Sequence, residues 1–264
     1  MKRKLLTGLM MFMVSAGAAA QQQFSTPEQA TDALARAIRE QNEGAMSSLL
    51  GDNWRTFLPP EGVEPEAVAR FLRDWQIHHQ TTIDGDKAWL AVGDSHWQLP
   101  IPVVKTTAGW HFDMREAEQE ILVREIGRNE LAAINALHAY VDAQESYYRI
   151  NAHYAQKIVS SEGKKDGLYW PVRPGEAPSP LGPAFSPPGS GTGYHGYRFR
   201  IIPDSKSGFA MVAWPVSYGE TGVMSFMIAG DDQIWQADLG KETSKEASAI
   251  TAFHPDTGWQ RAEP

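Results

Sequence analysis

The chain has 264 residues, 42% of them hydrophobic, with 32 acidic side chains against 24 basic ones and a formal charge of −8. It contains no cysteine, which excludes disulfides, thiolate metal sites, thiol nucleophiles and a lipidated cysteine anchor. The acidic balance argues against nucleic acid or anionic lipid as the main partner, and an aromatic share of 10% is too high for a disordered chain.

Met1-Lys2-Arg3-Lys4 is a basic start, residues 5–14 are almost wholly apolar, and small residues follow, ending in Ala18-Ala19-Ala20. This is the pattern of a secretory leader cleaved after Ala20. An uncleaved anchor is disfavoured because the apolar run is short for a bilayer, and no later segment reaches spanning length. Cleavage leaves 244 residues, and losing Lys2, Arg3 and Lys4 takes the formal charge from −8 to −11. That length suits one large domain or two modest ones. The expectation is a soluble exported protein, periplasmic in its bacterium.

The first half, residues 21–119, reads as helices followed by a small meander. Thr26-Pro27-Glu28-Gln29 is a helix start, with Thr26 as cap and Pro27 at the first helical position. Ala30, Ala33, Leu34, Ala37 and Ile38 then recur on one face. Residues 42–51 predict a second helix ending at Gly51. A third, over 65–79, has Val68, Phe71, Leu72 and Trp75 inward. Strands are predicted at 87–92, at 97–104, where Pro100 and Pro102 restrict pairing, and at 110–113. Adjacent His78 and His79 point about a third of a helical turn apart, so they read as surface residues and not as a joint metal site.

Residues 120–148 predict one long amphipathic helix with a joint at Gly127. Its apolar stripe runs Ile121, Leu122, Ile126, Leu131, Ile134, Leu137 and Val141. His138, Asp142 and Glu145 share a face and form either an acid–base cluster or a solvated polar face, the second being preferred.

The remainder of 120–264 opens with a Pro-, Gly- and Ser-rich connection over 160–193, in which Leu168-Tyr169-Trp170 is an apolar anchor. Such aromatics either clamp a sugar or peptide or staple the loop to the body. The glycine run at 189–193 has neither the flanking strand and helix nor the lysine of a phosphate loop. Four strands follow, at 197–201, 209–216, 223–229 and 233–238, joined by short turns. They predict an antiparallel sheet with one wet face and the long helix on the other. The fold class is therefore α+β.

Several strings carry a resemblance. They are Gly51-Asp52-Asn53-Trp54, residues 97–104, Gly109-Trp110-His111-Phe112-Asp113, residues 126–131 and residues 140–144. Residues 163–171, 179–183, 194–197, 208–210, 213–215 and 218–226 extend it over the mature chain. On these the chain resembles the bacterial domain-of-unknown-function family 2950. The resemblance implies an exported protein of Gram-negative bacteria and carries no activity onto any residue. Glu125 stands where the family pattern has a second arginine beside Arg124, and residues 202–207 are short against the family's usual insertion. The second half also resembles, in architecture alone, the globular part of type IV pilins.

No nucleophile elbow, Ser-x-x-Lys or His-Glu-x-x-His is present. The preferred reading is a non-enzymatic exported protein, with no cofactor or metal, binding an envelope protein or glycan through Tyr169, Trp170, Tyr194, His195 and Tyr197. The alternative is a hydrolase pairing His195, His138 or His153 with Asp166, Asp142 or Glu145. A third is a structural role in which the aromatics are core.

Overall fold

The computed structural model describes residues 21–57, 65–183 and 193–262. The expected leader and most of the glycine run at 189–193 lie outside the described residues. The chain divides into two compact units, Met1–Glu120 and Ile121–Pro264.

The first unit opens with α1 (Pro27–Arg39), α2 (Glu43–Leu50), α3 (Trp54–Phe57) and α4 (Pro65–Ile77). Thr26 Oγ1 accepts from the Gln29 amide at 3.3 Å, so the predicted cap of α1 forms, and Asn42 Oδ1 caps α2 in the same way, accepting from the Ala45 amide at 3.0 Å. Five strands follow: β1 (His79–Asp84), β2 (Lys87–Val92), β3 (Trp97–Gln98), β4 (Val103–Thr106) and β5 (Gly109–Phe112). They pair in the order β1-β2-β4-β5, with β3 also on β2, all antiparallel.

Strand β1 and the single turn α3 are additions to the sequence reading. In β1 the sequence HQTTID is exposed at all positions but one, so no apolar alternation marks it. The strand expected over 97–104 splits into β3 and β4 because Pro100 and Pro102 have no N–H to give to the ladder. Ala30, Leu34 and Ala37 of α1, Leu49 and Leu50 of α2, Leu90 and Val92 of β2, and Trp110 and Phe112 of β5 form the core. Each large side chain so buried contributes about 1.5–3 kcal/mol. The segment before α1 is sewn to β5, the Phe24 and Trp110 backbones exchanging two hydrogen bonds of 2.8 Å. Gly109 permits that approach, since a Cβ there would lie 2.6 Å from the Phe24 oxygen.

Helix α5 (Met114–Asn151) has 38 residues, and the boundary between the units falls within it. It runs unbroken through Gly127, where a joint was expected. One helical glycine costs about 1 kcal/mol, too little to interrupt so long an element. Leu131 is another correction, being 64% exposed. The buried stripe is Ala133, Leu137, Tyr140, Gln144 and Tyr147, and its small alanine gave little hydrophobic signal.

In the second unit β6 (Tyr197–Ile202), β7 (Ala210–Pro215), β8 (Met224–Ala229), β9 (Trp235–Asp238) and β10 (Gln260–Arg261) form an antiparallel sheet in the order β10-β9-β8-β7-β6. Five strands replace the expected four, because two-residue β10 is too short to leave a pattern. Nor is one face wet. Leu137, Tyr140 and Val141 of α5 pack with Phe209, Met211, Ala213, Phe226 and Ile228. On the opposite face Val212, Trp214 and Met227 are covered by Ala247 of α6 (Thr243–Ala249) and by Leu239, Ile250, Phe253 and Trp259. Arg200 donates from Nη2 to the carbonyls of Ala247 and Ile250 at 2.8 and 2.7 Å and so fastens this cover. Among the described residues no helix is long and apolar enough to cross a membrane.

Candidate functional site

The five aromatic-loop residues do not present a stacking surface. Tyr197 is fully buried and Trp170 is 8% exposed, so both rings are core, which corrects the expectation for these two. A Gly-flanked tyrosine in a loop-like string gave a surface signal that tertiary packing overrides. Tyr169 is half-buried, and its backbone bridges to residues 158–160. Tyr194 is half-buried with its ring edge-on to His195, centroids 4.4 Å apart. Of the five, His195 alone is exposed, at a φ of 47°.

Three family strings instead close into a knot around Tyr197. Asn129 donates to the Thr221 carbonyl at 3.0 Å, and Glu130 Oε1 accepts from the Val223 and Met224 amides at 3.0 Å each. The Tyr197 hydroxyl donates to the Met224 carbonyl at 2.8 Å. Gly222 lies so close to that hydroxyl that a Cβ would overlap it. Burial first, and then the nearby Glu130 charge, push the Tyr197 hydroxyl's titration far above the ordinary tyrosine range. This is a fastening of the 217–224 turn to α5, made by side-chain groups bonded to its backbone.

The acid–base pairs weighed from the sequence do not assemble. His138 Nδ1 meets Asp232 Oδ1 at 2.7 Å, both groups being about half exposed, while Glu145 accepts from the Tyr154 hydroxyl at 3.5 Å. Asp166 Oδ2 binds Lys157 Nζ at 2.9 Å, and its Oδ1 accepts from the Ser161 amide at 2.7 Å. The ammonium and that amide hold the Asp166 carboxyl below the ordinary carboxylate range. Ser161 Oγ also lies 2.7 Å from Lys157 Nζ, but an ammonium ion-paired to a carboxylate has no lone pair with which to activate a hydroxyl. Among the described residues no three His, Cys, Asp or Glu side chains gather into a metal-holding group.

An open site exists in the first unit. A groove of about 380 Å³ lies where the end of α2, the end of β5 and the start of α5 meet. Leu50, Phe112 and Met114 are its buried apolar lining, and Gln21, Asn53, His111, Asp113 and Arg115 supply polar groups. The local reasons are plain. Gly51 ends α2 at a φ of +92°, turning the chain toward Asn53. Asp113 Oδ1 accepts from the amides of Arg115 and Glu116 at 2.9 and 3.2 Å, capping α5. Gln21 donates through Nε2 to the Leu49 and Phe112 carbonyls at 2.6 and 2.7 Å, tying the chain start to the groove wall. His111 Nδ1 is shielded and has no hydrogen-bond partner among the described residues.

The groove is lined by two strings that carried the family likeness, Gly51-Asp52-Asn53-Trp54 and Gly109-Trp110-His111-Phe112-Asp113, about sixty residues apart. A model of the family DUF2950, described as protein of unknown function, matches residues 21–262. The chain belongs to that family. No curated protein and no solved structure matches the chain, so the pilin likeness gains no support. Of the groove residues, none was singled out for binding from the sequence. The available signal was that the two family strings sit at an expected helix end and an expected strand end.

Proposed function

We propose that this member of DUF2950 is an exported periplasmic protein that binds, without turning over, a short peptide or glycan segment of the cell envelope in the groove of its first unit. The observation that carries the reading is the convergence of two family strings on one concavity with an apolar base and a polar rim. Its volume suits a ligand of one or two sugar or amino-acid units. Arg115 and Asp113 offer opposite charges, while Asn53 and Gln21 offer amides, a set suited to a polar ligand bearing both donors and acceptors. Binding is favoured over catalysis because, among the described residues, the lining contains no Ser, Thr, Cys, Lys or Tyr, and Asp113 already accepts two backbone amides. The leader-like residues 1–20 support export.

The test is titration of the mature chain with soluble cell-wall peptide and glycan fragments, followed by amide and imidazole NMR shifts. Shifts centred on His111, Asn53 and Arg115, and abolished in the Asn53→Ala, Arg115→Ala double variant, are expected. Shifts centred on residues 169–197 would return the site to the aromatic loop. Amino-terminal sequencing of the chain from a periplasmic fraction is expected to begin at Gln21.

A further inference from the structure

His78 and His79 lie beyond the end of α4, and their rings have different neighbours. His79 stacks on Trp75 with centroids 4.1 Å apart, and its Nδ1 meets the Trp75 carbonyl at 2.9 Å. His78 lies against His96, eighteen residues on, with centroids 5.4 Å apart and planes inclined by 56°. Backbone bonds hold the two close. The Gly93 amide donates to the His78 carbonyl at 2.8 Å, and the His96 amide closes its turn onto the Gly93 carbonyl at 3.1 Å. Both imidazoles are exposed.

His96 Nδ1 stands 3.0 Å from the Asp94 carbonyl. A carbonyl only accepts, so Nδ1 carries the proton and Nε2 keeps its lone pair. Metal-ligating histidines are oriented by an outer partner in this way. Metal–nitrogen bonds of about 2.0–2.1 Å put an imidazole centroid roughly 3.2 Å from the ion, so two such rings at a tetrahedral angle stand about 5.2 Å apart. The observed separation of 5.4 Å matches.

We propose that His78 and His96 form a two-histidine site for a divalent transition-metal ion of the zinc or nickel class, with water completing the coordination. Imidazole nitrogen selects such ions over calcium and magnesium, which require oxygen ligands. Asp74, packed against Gly93, is bonded to Arg73 at 2.9 Å and is not one of the ligands proposed. A bound ion pins the end of α4 to the turn between β2 and β3.

The test is calorimetric titration of the untagged chain with zinc chloride and, separately, calcium chloride. Zinc is expected to bind at one site that weakens at least about tenfold in H78Q and in H96Q and is unchanged in H79Q, with no heat from calcium. Zinc affinity retained in both H78Q and H96Q, equal loss in H79Q, or no binding at millimolar zinc each overturns the pairing. Zinc-induced shifts of the His78 and His96 ring signals in the unmodified chain give a readout independent of any variant's folding. Shifts confined to other histidines overturn the proposal.

Discussion

The knot around Tyr197 and the groove around His111 are both assembled from strings on which the chain resembles its family, yet they differ in what they leave available. In the knot, Asn129, Glu130 and Tyr197 spend their polar groups on the backbone of the 217–224 turn, and the central ring is fully buried. In the groove, Arg115, Asn53 and His111 border a space of about 380 Å³. A string that satisfies itself holds the fold together. One that ends at a concavity with unspent polar groups is where a ligand has something to gain.

Breaking the closed region is expected to cost most. Gly222→Ala forces a methyl against the Tyr197 hydroxyl and should destabilise by about 3 kcal/mol or more, read as a fall in melting temperature of roughly 6–12 °C. A melting point like that of the unaltered chain would show that the turn can shift and that the knot is looser than described. Glu130→Ala strands the Val223 and Met224 amides, at about 1–3 kcal/mol by chemical denaturation, whereas Glu130→Gln keeps an acceptor and should recover more than half of that.

Tyr197→Phe removes one hydrogen bond and should cost about 1–2 kcal/mol at neutral pH. It also has a signature in alkali. The folded chain holds the Tyr197 proton to higher pH than the unfolded chain does, so its contribution is complete below about pH 10 and is lost as pH rises beyond. The variant should therefore lose stability less steeply above that point, without abolishing the fall, because burial shifts Tyr140 in the same direction. An unchanged alkaline slope would remove Tyr197 from the explanation. The smallest stability effect belongs to the open region: Asn53→Ala and Arg115→Ala should each stay within about 0.5 kcal/mol of the parent. A larger loss from either would make the groove another structural fastening.

Local chemistry was legible wherever a residue acts within its own element. Thr26 and Asn42 cap the helices they were expected to start, and Gly51 ends the second. Features set by distant chain were not. Strand β1 has Ile83 as its one apolar residue, and β10 has two residues, so neither shows periodicity. Arg200 alternates with apolar neighbours as a solvated side chain would, and only the return of residues 247–250 shows it to be a clamp. Tyr197 was misread because a tyrosine between glycine and arginine says nothing of the Gly222 backbone that packs on it. The groove needs Gln21, Asn53 and His111 together, and no sequence window contains all three.

The covering of β7 on both faces has a consequence for the order of events as the chain emerges. One of its covers, α5, is synthesised before it, and the other, residues 239–259, comes after it. Until that last stretch is available, Val212 and Trp214 have no shield from other molecules, and a half-delivered sheet offers apolar strands for mispairing. A chain cut short before Phe253 should therefore aggregate instead of merely losing a tail, and a delay in delivering the final few dozen residues is the interval in which a holding chaperone would matter most.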